Sequence, residues 1–117
     1  PEVLLRAFAA TLEELEDASV LLHLVDISSP DFEDRMESVG RVIGKLGLSK
    51  KPKLLVFNKI DLIDRHFLKA AESRYGASSI SCATGEGIER LVQTIEMAVD
   101  ATREERRDGL SYLKTGG

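Results

Sequence analysis

The sequence has one cysteine, Cys82, which excludes an internal disulfide and any cysteine-built zinc site. It has no long apolar run, and a stretch such as Ser19 to Val25 is far too short to cross a bilayer. No charged segment followed by an apolar core opens the chain, so no signal peptide is expected and the expected compartment is the cytoplasm. Positive charge is not in excess: Lys plus Arg number 16 and Asp plus Glu number 20, a formal net charge of −4. That balance excludes a nucleic-acid binder driven by net charge and leaves room only for a local basic patch. No His, Asp and Glu fall at metal-ligand spacing, and no Ser, His and Asp are placed as a triad. What is present, 43% hydrophobic and 31% charged residues in a chain of 117, suits one globular domain with a modest core. Because Pro1 opens directly into a helical pattern, the chain is expected to be a piece of a longer protein.

The apolar pattern alternates between two kinds of segment. Leu5, Phe8, Leu12 and Leu15 recur at helical spacing between Glu2 and Asp17. Residues 20–26 are a nearly unbroken apolar run, which predicts a strand buried on both faces of a parallel sheet. Ser28-Ser-Pro-Asp31 predicts a helix start, with a serine cap and proline in the first turn. Phe32, Met36, Val39, Ile43 and Leu46 then form a helical stripe, with Gly47 as its stop. A second strand covers Lys53 to Phe57, and a third helix carries Ile63, Phe67, Ala71 and Tyr75 before Gly76. Ala77 to Ser81 reads as a short third strand, and Ile88, Leu91, Val92, Ile95, Ala98 and Val99 stripe the last helix. The order α-β-α-β-α-β-α predicts an α/β fold with right-handed crossovers and a parallel sheet. Residues 1–102 form this unit, and residues 103–117 read as a charged helix end and tail.

Ligands of open α/β sheets sit beyond the carboxyl ends of the strands. Two polar loops lie there: Asn58-Lys-Ile-Asp61 after the second strand and Ser81-Cys-Ala-Thr-Gly-Glu-Gly87 after the third. Guanine presents two adjacent donors, its ring N1–H and its exocyclic amine. The two oxygens of Asp61 can accept both in one plane, whereas adenine carries an acceptor at N1. Each such charge-assisted bond contributes on the order of 1.5–3 kcal/mol. The methylene stem of Lys59 can lie on a purine face with its ammonium in water. Asn58 can tie the loop to nearby backbone, since its amide donates and accepts. A backbone N–H around Cys82 can donate to the guanine carbonyl. An Asn-Lys-x-Asp arises by chance in roughly 1–2% of chains this long, so its place directly after a buried strand is what gives it weight. Other polar residues read as ordinary: His23 as a packing residue within a strand, His66 as solvent-exposed on a helix, and Asp26 as a cap for the loop that follows it.

Leu55-Val-Phe-Asn-Lys-Ile-Asp-Leu62 resembles the base-recognition motif of the translation-factor class of P-loop GTPases. Ser81-Cys-Ala resembles their second base-contact loop, with Cys82 where Ala is usual; both are small, and the contact runs through backbone. Ala7-Phe-Ala-Ala-Thr-Leu-Glu-Glu14 and Leu22-His-Leu-Val-Asp-Ile-Ser-Ser-Pro-Asp-Phe-Glu33 are similar to the HflX family of ribosome-associated GTPases. There a helix ending Arg-Ala-Thr-Leu-Glu-Glu leads to a strand ending His-Val-Val-Asp-Ala-Ser-Asp-Pro. The similarity covers about residues 1–100. It implies GTP or GDP as ligand, with Asp61 on the guanine edge, Lys59 stacked on the base and Asn58 bracing the loop. It implies that Ser81, Cys82 and Ala83 form the second loop, and that the large ribosomal subunit is a partner of the intact protein.

The departures from the family pattern are as informative. The sequence contains no Gly-x-x-x-x-Gly-Lys-Ser/Thr and no Asp-x-x-Gly, so it supplies neither the phosphate loop nor the magnesium site. The resemblance therefore implies the C-terminal half of a GTPase domain, which recognises guanine but does not hydrolyse GTP by itself. Magnesium belongs to the full-length parent only. Two other readings remain at this stage: the leading half of a circularly permuted ribosome-assembly GTPase, and a non-catalytic α/β interaction module with an accidental Asn-Lys-x-Asp. The expected sheet has three parallel strands in sequential order, with the first three helices on one face and the last on the other. The outer edge of strand 20–26 is then bare, and self-association through it is expected.

Overall fold

The computed structural model describes residues 17–116. Strand β1 (Leu21–Asp26) is followed by helix α1 (Phe32–Lys45), strand β2 (Lys53–Asn58), a 3-10 turn (Ile60–Leu62), helix α2 (Arg65–Tyr75), strand β3 (Ser78–Ser79) and helix α3 (Ile88–Gly116). The sheet order is β1-β2-β3, and both pairings are parallel. Leu21 lies opposite Lys53 and Asp26 opposite Asn58, so β1 and β2 end level with one another. The helix read between Glu2 and Asp17 falls outside the described residues apart from its last position.

Successive side chains of a strand point to opposite faces, and β2 uses both. Phe57, fully buried, packs with Val25, Ile27, Phe32, Ile60, Leu68 and Ala71 beneath α1 and α2. Val56, also fully buried, packs on the other side with Ile80 and Leu91, backed by Ile88 and Ile95 of α3. The two crossover helices therefore share one face, as right-handed crossovers require, and α3 takes the other, as expected from the resemblance. No described helix is long and apolar enough to cross a membrane.

Three local features differ from the sequence reading. First, among the described residues β1 is covered on one face only. Leu21 and Val25 are buried beneath α1, while Leu22 and Leu24 are 44% and 59% exposed on the side where α3 reaches only Val56 and Ile80.

Second, the serines before α1 do not cap it. Asp31 occupies the cap position and makes no side-chain cap bond. The Ser29 hydroxyl donates to Asp31 Oδ1, and Ser28 donates to Asp26 Oδ1 through both its backbone N–H and its hydroxyl. Nearby carboxylates outcompete the helix N-terminus for these hydroxyls.

Third, β3 shrinks from the expected 77–81 to Ser78–Ser79. Serine brings little apolar surface to a ladder, and beyond Ser79 the backbone turns to bond the two neighbouring loops. Ile80 N–H donates to Phe57 O at 2.8 Å, Ile80 O accepts from Ile60 N–H at 3.3 Å, and Ser81 N–H donates to Glu86 O at 2.9 Å.

Helix α2 follows its sequence signals at both ends. Asp64 caps it by accepting from His66 N–H at 3.0 Å and Phe67 N–H at 3.2 Å. Gly76 closes it in the left-handed conformation, its N–H bonded to Glu72 O. Helix α3 runs on through the charged stretch after Asp100 to Gly116.

Candidate functional site

All three strands deliver their carboxyl ends to the same edge of the sheet. The loop after β2 is built around Ile60, which is 2% exposed and drawn into the core. Anchoring this one apolar residue leaves its neighbours Lys59 and Asp61 exposed on the surface. The turn closes through Leu62 N–H to Lys59 O at 3.1 Å, with Lys59 in the left-handed region at φ 68° and ψ 34°. Asn58 offsets that conformation locally, because its Oδ1 accepts from Lys59 N–H at 2.8 Å.

The second loop is stitched to the first by side chains. Asn58 Oδ1 also accepts from Cys82 N–H at 3.2 Å, so one amide oxygen holds both loops. Ser81, completely buried, donates its hydroxyl to Asp61 Oδ1 at 2.8 Å and accepts from Thr84 N–H at 3.1 Å. Gly85 N–H reaches Ser81 O at 2.7 Å, and Glu86 N–H reaches Thr84 Oγ1 at 3.2 Å. Asp61 is thereby held through one oxygen, with acceptor capacity left for a ligand, since a carboxylate offers about four lone-pair sites. Cys82 N–H, which the sequence reading aims at the guanine carbonyl, is engaged by Asn58, and Ala83 N–H has no acceptor among the described residues.

Residues the sequence reading did not assign complete the frame. Arg65, the first residue of α2, grips Glu86 of the second loop through two parallel bonds of 2.9 and 2.7 Å. Its guanidinium holds the Glu86 carboxyl below the usual range, and Glu86 raises Arg65 in return. Both side chains are exposed, so the pair fixes geometry more than it adds stability. At the end of β1, Asp26 Oδ2 lies 3.2 Å from Lys59 Nζ while its Oδ1 serves Ser28. Asp26 thus caps the following loop, as read from the sequence, and also reaches across to β2. The signal for this was available in the sequence only in part: Asp26 and Asn58 each stand at a strand end, and parallel strands bring such ends to one edge.

His23 is half-buried in β1, where burial lowers its pKa, and His66 is exposed on α2. Among the described residues no group of three or more His, Cys, Asp or Glu is placed to hold a metal ion.

The six residues singled out by sequence, Asn58, Lys59, Asp61, Ser81, Cys82 and Ala83, thus lie at the end of β2 and in the two adjoining loops. Five of them are joined by direct hydrogen bonds or a shared acceptor. The arrangement is a polar rim of fixed geometry beside an exposed carboxylate and an exposed lysine stem. Chemically it can bind a planar ligand with paired donors at one edge.

No family model matches the sequence. Comparison with curated proteins finds GTPase HflX of Magnetococcus marinus, 41% identical over 100 residues, which cover 85% of this chain and 23% of that protein. GTPase HflX of Caldanaerobacter subterraneus subsp. tengcongensis is 36% identical over 125 aligned positions, covering all of this chain and 28% of that protein. GTPase HflX of Escherichia coli is 33% identical over 98 residues, 81% of this chain and 23% of that protein. The chain spans about a quarter of the length of these relatives. At 33% to 41% identity along most of its length, and with the parallel α/β architecture described above, the chain belongs to the HflX family, of whose GTPase domain it forms a part.

Proposed function

We propose that this chain is the guanine-recognising portion of an HflX-like GTPase. The observation that carries the reading is the cross-stitching of the two loops. Ser81 and Asn58 fix Asp61 and the loop backbone while leaving the Asp61 carboxylate exposed to a ligand. In this reading Asp61 accepts from the guanine N1–H and exocyclic amine. Lys59 covers one face of the base, and Ser81, Cys82 and Ala83 form the opposite rim with a backbone N–H toward the guanine carbonyl. An accidental Asn-Lys-x-Asp has no reason to be tied to a second loop in this way, which disfavours the interaction-module reading.

The ligand is GTP or GDP. The chemistry of the whole protein is attack of water on the γ-phosphate, with magnesium supplying charge stabilisation there. The donor set described here does not suit magnesium, so no step through the metal is assigned to these residues. This chain selects and orients the base. The ribosomal large subunit is the partner of the whole protein, and the cytoplasm its compartment.

In the whole HflX-like protein, Asp61→Asn replaces one bidentate acceptor by a group that is half donor. GTP affinity is expected to fall by roughly 10- to 100-fold, from the loss of one or two charge-assisted bonds. Affinity for XTP should rise, because xanthine carries a carbonyl where guanine has its amine. A competition titration in which the GTP-to-XTP preference stays unchanged refutes the assignment of Asp61.

The 117-residue chain also self-associates in this reading. Nothing among the described residues pairs with the outer edge of β1, and Leu22 and Leu24 are exposed beside that edge. Such an edge is a template for pairing with another chain. Light scattering is expected to show a mass that grows with concentration, and a stable monomer at all concentrations would count against it.

A further inference from the structure

We propose that Asp26 is a positioning residue for the base site: it tethers the Lys59 ammonium so that the lysine stem is laid across the mouth between β1 and β2 before a purine arrives. This inference rests on the guanine-recognition reading and adds to it a residue from a different strand.

The geometry begins with register. Asp26 and Asn58 are direct partners at the ends of β1 and β2, so the residue after Asn58 emerges diagonally opposite Asp26. Lys59 then takes the left-handed conformation, held by Asn58 Oδ1 on its backbone N–H, and its ammonium comes within 3.2 Å of Asp26 Oδ2. The carboxylate is itself oriented. Ser28 donates to Oδ1 from its backbone N–H at 3.0 Å and from its hydroxyl, which turns Oδ2 toward the lysine. Those Ser28 bonds, with Lys59 beside them, hold the Asp26 carboxyl below the ordinary range. Asp26 is therefore ionised at neutral pH and available to the lysine.

As an ion pair the contact is weak, since the two side chains are 38% and 53% exposed. Its consequence is conformational. A free lysine samples many rotamers and loses that freedom when it packs on a ligand. A lysine already tethered loses less, so the same stacking contact yields more affinity. The tether touches no edge of the base and carries no base selectivity, which separates its effect from that of Asp61.

Asp26→Asn tests this, because the amide keeps an acceptor oxygen for Ser28 and removes the charge and the acceptor facing Lys59. In the whole HflX-like protein, nucleotide affinity is expected to fall about 3- to 10-fold for GTP and XTP alike, with their ratio unchanged. Asp26→Glu should recover part of the loss. In a Lys59→Ala background, Asp26→Asn should cost nothing further, as a double-mutant cycle reports only residues that act through each other. NMR of the Lys59 side chain without nucleotide should show its order fall in Asp26→Asn. Equal costs of Asp26→Asn with and without Lys59 overturn the tether, as does a lysine equally ordered in both proteins. Failure of the underlying reading has a different signature: Asp61→Asn leaves the GTP-to-XTP preference unchanged, whatever Asp26 does.

Discussion

Gly87→Ala is expected to unfold the chain or bring it close to unfolding, whereas Gly85→Ala, two residues away in the same loop, is expected to be mild. Both glycines have positive φ, 78° at Gly87 and 85° at Gly85, so alanine at either suffers the left-handed penalty of about 1–2 kcal/mol. The difference lies in what the new methyl meets. At Gly85 nothing lies within 4 Å. At Gly87 an added Cβ would fall 2.1 Å from Ser79 O, 3.2 Å from Ser79 C and 3.3 Å from Ile80 Cα. These are backbone atoms, and none can rotate aside.

Ser79 belongs to β3, paired with Phe57, and Ile80 N–H is bonded to Phe57 O. Moving them outward breaks the β2–β3 ladder. Moving Gly87 instead breaks the Ser81–Glu86 bond and the Leu91 N–H to Gly87 O bond that opens α3. With the conformational penalty and one or two lost hydrogen bonds at about 1 kcal/mol each, the cost comes to roughly 2–4 kcal/mol. That is a large share of the 5–15 kcal/mol typical of a whole domain. Urea denaturation of the two variants side by side measures it. Equal midpoints for Gly85→Ala and Gly87→Ala would show that the close approach at Ser79 is not the reason glycine is needed.

The parts of this fold that could be read from the sequence are those set by local pattern. The apolar runs of β1 and β2 and the helical stripe of α1 fixed their places within about a residue, because burial demands those periods. Crossover handedness together with the GTPase resemblance then implied sequential parallel order and the opposite-face position of α3. The site loops were legible for the same reason: Asn58 and Ser81 follow strands, and strand ends converge.

What was not legible depends on which of several possible partners a group takes, whether near or far in the chain. Ser28 and Ser29 resemble helix caps until the carboxylates of Asp26 and Asp31 take their hydroxyls. Arg65 and Glu86 are 21 positions apart, and no local rule pairs them. Leu22 and Leu24 look like core residues in any window of sequence. Their exposure reflects only which side of β1 the described helices cover.

Phe57→Ala is expected to be the most damaging substitution within the core. Phe57 is 0% exposed and sits edge-on to Phe32, with ring centres 5.9 Å apart at 82°, and to Tyr75, 6.3 Å apart at 88°. Phe32 is in turn edge-on to Tyr75 and Phe67. This ring cluster joins β2 to α1 and α2, and Phe57 is its fully buried member on β2, with no neighbour free to fill the space it leaves.

Removing a buried phenylalanine costs about 3–5 kcal/mol through lost transfer energy and the cavity that remains. Each edge-to-face pair adds on the order of 0.5–1.5 kcal/mol. Tm should fall by roughly 10–30 °C for a domain of this size. Phe67→Ala, at a ring already 48% exposed, should lower it by only a few degrees. The site should fail with the core, since Phe57 adjoins Asn58 and its carbonyl holds Ile80, the residue before Ser81. Phe57→Leu keeps most of the volume but loses both edge-to-face pairs, so it should cost roughly 1–3 kcal/mol and separates loss of packing from loss of the aromatic ring. A Phe57→Ala chain melting within a few degrees of the parent would mean that α1 and α2 are held to the sheet by other contacts.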